Sequence, residues 1–157
     1  NENCSKLINN IQVANDEMTL QSEIEIDIRF SETDAMGVVW HGNYLKFFED
    51  GREAFGKTFG LEYLSIFSFG YFTPIIKSEI DHKSTVNYGE KIKVITKYIP
   101  TKSAKILFEY EVWNLSTGKV SAIGKTMQVF MQKDTRELEL LTPDFYRNWK
   151  EINHVAV

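Results

Sequence analysis

The run Asp34-Ala35-Met36-Gly37-Val38-Val39-Trp40-His41-Gly42-Asn43-Tyr44-Leu45-Lys46-Phe47-Phe48-Glu49-Asp50-Gly51-Arg52 carries the chain from a loop into a helix. An acid opens it in a flexible turn, a short apolar run follows, then His41, then a segment with helical spacing. Tyr44, Phe47, Phe48, Gly51, Phe55 and Phe59 recur at steps of three and four, which predicts a helix with a heavy aromatic stripe. Gly60 supplies its stop. Gly51 and Gly56 each weaken such a helix by up to about 1 kcal/mol. A helix that keeps both is expected to pack closely against something, such as a sheet that wraps it. The order also sets a carboxylate beside a helix N-terminus, where unpaired backbone N–H groups collect. A carboxylate and an oxyanion site side by side are the two parts that acyl transfer needs.

Upstream, Ile24, Ile26, Ile28 and Phe30 alternate with Glu25, Asp27 and Arg29, the pattern of a half-buried strand. Residues 1–22 lack a clean period and read as an N-terminal extension, with Leu7, Ile8, Ile11 and Val13 able to form a short amphipathic turn. Downstream, 61–69 reads as a second short helical or irregular piece. After Gly70 the period returns to two, giving long strands over 72–82, 90–100, 105–114 and 119–132. The links at 85–89, 101–104 and 115–118 are short enough for antiparallel neighbours, and Ser116-Thr117-Gly118 is a hairpin turn signal. A last helix is expected from Thr142-Pro143, with Thr142 as cap, Pro143 in the first helical position, and Phe145, Tyr146 and Trp149 on its apolar face. The expectation is therefore an α+β class fold: one domain over 23–157, an antiparallel sheet of about five strands with a long helix on one face.

Bulk properties narrow the function. The chain has 157 residues, 43% of them apolar and 13% aromatic, enough for one globular core. A formal charge of −4 argues against general affinity for nucleic acid or anionic membranes. Cys4 is the single cysteine, which fits a reducing compartment. No apolar run approaches the roughly 20 residues of a membrane helix, and the first twenty residues are too polar for a signal-peptide core. A soluble, cytoplasmic protein is expected. His41, His82 and His154 are scattered, so no metal-ligand spacing exists and no cofactor is implied. There is no nucleophile elbow, phosphate-cradling glycine loop or nucleic-acid module.

Asp34-x-x-Gly37-Val38-Val39-Trp40-His41-x-x-Tyr44, followed by Glu49-x-x-Arg52, resembles the hotdog-fold acyl-CoA thioesterases of the 4-hydroxybenzoyl-CoA thioesterase type, with the short-chain Tol–Pal-associated branch the nearest. The resemblance spans about residues 23–135. It implies a long central helix wrapped by a curved antiparallel sheet, and a homodimer or homotetramer with sites at the dimer interface. It maps the catalytic acid onto Asp34 and the oxyanion donor onto the peptide N–H of His41. Trp40 stands where that branch usually has Tyr, and no proline precedes the strand after 85–89.

Residue by residue, two readings stand side by side. Asp34 either attacks the thioester or activates a water; as a plain loop residue it would cap the helix or make an Asx turn. Gly37 gives the loop conformational freedom. Val39 and Trp40 flank the acid and are pocket candidates, while Tyr44, a substrate-contact candidate, also suits the core. Glu49 is a second acid or base, or it orients His41 or Tyr44, or it is one half of a helix-surface pair with Arg52. Lys102, Ser103 and Lys105, in a strand-to-strand turn, are candidates for the coenzyme A phosphates, against the alternative of a solvated hairpin. The leading function is hydrolysis of an acyl-CoA to a carboxylic acid and free coenzyme A. A hydratase or dehydratase on the same fold and a non-catalytic acyl-CoA-binding module are the alternatives. In the hydratases the acid and His lie closer together, in a loop containing Pro, whereas here six residues and no proline intervene.

Overall fold

Why one strand follows another is set by alternation, and the structure, a computed structural model, describes residues 19–155. The Leu7–Val13 turn and Cys4 lie outside the described residues. The first strand, β1 (Gln21–Asp27), begins inside the expected extension, because Gln21 and Ser22 already pair with Lys97 and Thr96. It also ends early. Ile28 is buried, but Phe30 opens a 3-10 turn (Phe30–Glu32) and is 78% exposed, its ring edge-on to Tyr88. The apolar alternation overshot there: Phe30 is not a core residue.

Helix α1 (Asn43–Phe59) matches the aromatic stripe. Tyr44, Phe47, Phe48 and Phe55 are almost wholly buried, each contributing about 1.5–3 kcal/mol of apolar burial. Gly60 ends the helix in the left-handed region, φ 79°, with its N–H donating to the Gly56 carbonyl. Close packing at the glycines is observed. A Cβ on Gly51 would sit 2.3 Å from Thr96 Oγ1, and one on Gly56 would sit 2.7 Å from the Leu61 carbonyl. The sheet gives way reciprocally at Gly124, where a Cβ would strike the Phe48 ring at 2.4 Å.

Helix α2 (Tyr63–Ser68) follows, then β2 (Tyr71–Phe72), β3 (Ile75–His82), β4 (Lys91–Ile99), β5 (Lys105–Asn114), β6 (Lys119–Gln132), the short β7 (Leu138–Glu139), and helix α3 (Asp144–Ile152). Pro74 splits the strand expected over 72–82, since it has no N–H for the ladder. The five long strands lie in the order β1-β4-β5-β6-β3, all antiparallel, with β2 and β7 as short additions on β6. One expectation fails: β3 and β4 are not neighbours. The link between them is used elsewhere, since Val86 is buried and its carbonyl accepts the Val39 N–H at 2.8 Å. A segment paired to the Asp34 loop cannot also close a hairpin. The 115–118 turn forms as expected, Gly118 at φ 71° and Asn114 Oδ1 accepting from the N–H of Ser116 and Thr117.

At α3, Pro143 occupies the cap position rather than the first helical one, and Thr142 makes no capping bond. The Pro143 carbonyl accepts from Tyr146 and Arg147, so the helix starts from it. Tyr146 and Trp149 are buried and Phe145 half-buried, as the stripe required. Among the described residues no helix is long and apolar enough to cross a membrane.

Candidate active site

The Asp34 loop is built by backbone pairing. Asp34 and Val38 close a tight turn through Asp34 N–H to the Val38 carbonyl (2.9 Å) and Gly37 N–H to the Asp34 carbonyl (3.0 Å). Gly37 sits at φ 79°, where a side chain would be strained. Thr33 pairs with Val39 and Val38 with Asn87, which fixes the loop to the β3–β4 link. The Glu32 carbonyl then ties loop to helix, accepting from the Trp40 N–H (2.9 Å) and from Asn43 Nδ2 (2.7 Å). Asp34 Oδ1 accepts the Met36 N–H at 2.8 Å, so the Asx turn is real; it engages one carboxylate oxygen.

Helix α1 starts at Asn43 with Gly42 as its cap. Asn43 N–H donates to the Trp40 carbonyl and Tyr44 N–H to that of His41, while among the described residues the N–H groups of His41 and Gly42 have no acceptor. The Trp40 ring is laid over Gly42, where a Cβ would have to push it aside, and its centroid is 5.1 Å from that of the His41 ring.

Asp34, Val39, His41 and Tyr44 converge on one cleft of about 320 Å³. Its far wall, His82 with Ser84 and Thr85, was not foreseen. His82 ends β3 and Ser84 and Thr85 follow it in the link to β4, some 40 positions on, and nothing local marks them. Tyr44 forms part of the cleft wall although only 3% exposed. Its hydroxyl donates to Ser121 Oγ (2.7 Å), which donates to the Ser84 carbonyl (2.8 Å), and the His82 ring stands edge-on at 4.9 Å. Burial raises the Tyr44 pKa, so the phenol stays neutral and a donor.

The other candidates lie elsewhere. Gly37 shapes the turn but does not line the cleft, and neither do Trp40, 49% exposed, and Glu49, on the open face of α1. The expected Glu49–Arg52 pair is absent: Arg52 donates instead to the hydroxyls of Tyr110 (3.1 Å) and Tyr63 (3.3 Å). Lys102, Ser103 and Lys105 sit at the opposite end of the sheet. Lys105 pairs with Val129, while the cleft lies by Ser121, about 25 Å away along β6. That turn is tied to α3 by Tyr146 Oη donating to the Lys105 carbonyl and Lys150 Nζ to the Thr101 carbonyl.

A long helix laid on a five-stranded antiparallel sheet, with an acid-bearing loop at the helix start, defines a hotdog-fold protein of the thioesterase class. The chain belongs to the thioesterase-like superfamily, whose family model matches residues 28–149. YneP of Bacillus subtilis (strain 168), provisionally named an acyl-CoA thioesterase, is 32% identical over 114 residues, 73% of this chain and 82% of that one. The structure of a DHNA-CoA thioesterase from Staphylococcus aureus superposes with a TM-score of 0.75 at 28% identity, covering 85% of this chain and 91% of that one. The 4-hydroxybenzoyl-CoA thioesterase of Pseudomonas sp. strain CBS-3 shares the fold, with TM-score 0.72 at 18% identity over 82% of this chain and 98% of the other.

Proposed function

We propose that this chain is an acyl-CoA thioesterase with its reaction centre in the Asp34 cleft. One observation carries the reading: in a chain of this superfamily, Asp34 and His41 border the same cleft at the start of α1, and the His41 N–H has no acceptor among the described residues. Water oxygen bonds to the acyl carbon, the C–S bond breaks, and the thiolate takes a proton as the carboxylic acid leaves. Asp34 either removes the proton from that water or forms a mixed anhydride that water then opens. The His41 N–H, reinforced by the helix dipole, stabilises the oxyanion of the tetrahedral intermediate. Val39 and Tyr44 border the acyl group. The Lys102–Lys105 turn reaches coenzyme A only from a second copy, because within one chain it lies at the far end of the sheet.

A homodimer is supported by β3, an edge strand of eight residues, seven of them exposed, including Ile75 and Ile76. A cytoplasmic setting suits a chain with one cysteine. The test is thiol release across acyl-CoAs from acetyl to palmitoyl plus benzoyl and 4-hydroxybenzoyl, with Asp34→Asn alongside. We expect a substrate optimum for the parent and a loss of about 10²–10⁴ in kcat for the variant, with an unchanged circular dichroism spectrum. Retained turnover in Asp34→Asn would reject that residue.

A further inference from the structure

Beyond the Asp34 cleft, Arg52 occupies a second cavity, of about 130 Å³, between α1, α2 and β5. It lies eight residues past Tyr44, about 12 Å along the helix, and no residue lines both spaces. A guanidinium has five N–H donors. Nε donates to Tyr63 Oη and one Nη1 N–H to Tyr110 Oη, which leaves three without an acceptor among the described residues. The Tyr110 hydroxyl is also bonded to Thr126 Oγ1. The Tyr63 hydroxyl, by contrast, accepts from Arg52 and keeps its own hydrogen to give.

Among the described residues no carboxylate forms an ion pair with this cation. Burial pulls the guanidinium pKa down, but the bonds and charge interactions with Tyr110 and Tyr63 outweigh it, so the pKa is raised and the group stays a cation. Glu53 and Glu62 are both at the cavity wall; Glu53 is turned to Lys57 at 3.4 Å, Glu62 is the cap residue of α2, and neither is paired with Arg52. With three donors unused among the described residues, the guanidinium can take a planar anion through two parallel N–H···O bonds. Leu61, Leu64, Ile66, Ile106 and Phe108 give the cavity a hydrocarbon side, and Gln128, whose amide donates to Thr73, completes the wall. The volume is close to the ~150 Å³ that takes a benzene ring.

We propose that the Arg52 cavity is a binding site for a small carboxylate whose hydrocarbon part fills the Leu61–Phe108 pocket. Two sources share that chemistry: the free acid released by hydrolysis, or the distal carboxylate of a dicarboxylyl thioester. That choice of source rests on the hydrolase reading, whereas the site itself does not.

Nitrogen-edited NMR of the Arg52 Nε–H resonance tests it during titration with butyrate and benzoate, against butyramide and benzamide. We expect a saturable shift with the acids alone, absent from Arg52→Gln, and a severalfold weaker affinity in Tyr63→Phe, which keeps the cation should Arg52→Gln not fold. No shift, or equal shifts with acids and amides, would overturn the site. Hydrolysis of sebacoyl-CoA and decanoyl-CoA in the presence of butyrate then separates the sources. Inhibition of the sebacoyl thioester alone identifies the distal carboxylate, and equal effects on both identify the released acid. Silence of every acyl-CoA with the butyrate shift intact would remove the hydrolase reading and leave the carboxylate site standing.

Discussion

Thr96 is fully buried on β4, and its hydroxyl has no hydrogen-bond partner among the described residues. It faces Gly51 of α1, whose missing side chain is what lets helix and strand approach. A buried hydroxyl without a partner keeps its desolvation cost and gains nothing back. Thr96→Val retains the branched shape and removes the polar atom, so we expect a gain of about 1 kcal/mol, read as a higher denaturant midpoint with an unchanged slope. A loss of that size would show that the hydroxyl is bonded in the assembled protein. Gly51→Ala should act in the opposite sense, costing about 1–3 kcal/mol, because its Cβ would have to displace Thr96. Sequence alone announced the closeness, since two glycines in a helix need a reason. It gave no hint of the partner, which lies 45 residues downstream.

Helix α3 docks through hydroxyls as well as rings. Tyr98 bonds to the Tyr146 hydroxyl, which donates to the Lys105 carbonyl, and the Lys150 ammonium lies 4.8 Å over the Tyr146 ring. Burial pushes Tyr98 up to about 12 and raises Tyr146, Tyr110 and Tyr44 as well. In the unfolded chain these phenols ionise near 10, so above that pH the native state holds more protons and stability falls as pH rises. The contribution is complete below pH 10, and the part due to Tyr98 is lost by about 12. Lys150 opposes this: burial lowers its pKa, so its effect on stability rises with pH until the unfolded ammonium titrates near 10.5. One lysine against four tyrosines leaves a net fall. Denaturant midpoints should hold to about pH 10 and then drop steeply, and Tyr98→Phe should remove on the order of 2 kcal/mol of the drop. A midpoint unchanged between pH 10 and 12 would contradict this account. The helix itself was visible in its Phe145, Tyr146 and Trp149 stripe, but its dock onto the 100–105 turn was not, because that contact spans some 45 residues.

At the scale of the molecule, what periodicity encodes was readable and what pairing encodes was not. α1, its Gly60 stop and the long strands follow from local spacing. The pairing of β3 with β6 instead of β4 is non-local, and the short 83–90 link suggested the wrong neighbour. The candidate site divides the same way: Asp34, Val39, His41 and Tyr44 lie within eleven residues of each other in sequence, whereas His82, Ser84 and Thr85 reach the cleft only through the crossover. That crossover has a consequence for assembly, since it leaves β3 outermost, its residues Ile75–His82 unpaired on one side among the described residues. An edge strand of this length, carrying Ile76 at 56% exposure, is a template for a second copy. Antiparallel pairing about a two-fold axis would place the His82 end of one β3 beside the Ile75 end of the other, and so set each Asp34 cleft against the far end of its partner's sheet. Paired lysines, Ile76→Lys with Ser78→Lys, introduce charge on that edge without touching the cleft. If the clefts are completed across a β3 dimer, we expect the variant to sediment as a monomer with its circular dichroism retained and to lose thioester hydrolysis. A monomer with full turnover would show that one chain holds a complete site. A variant that stays dimeric would move the interface away from β3.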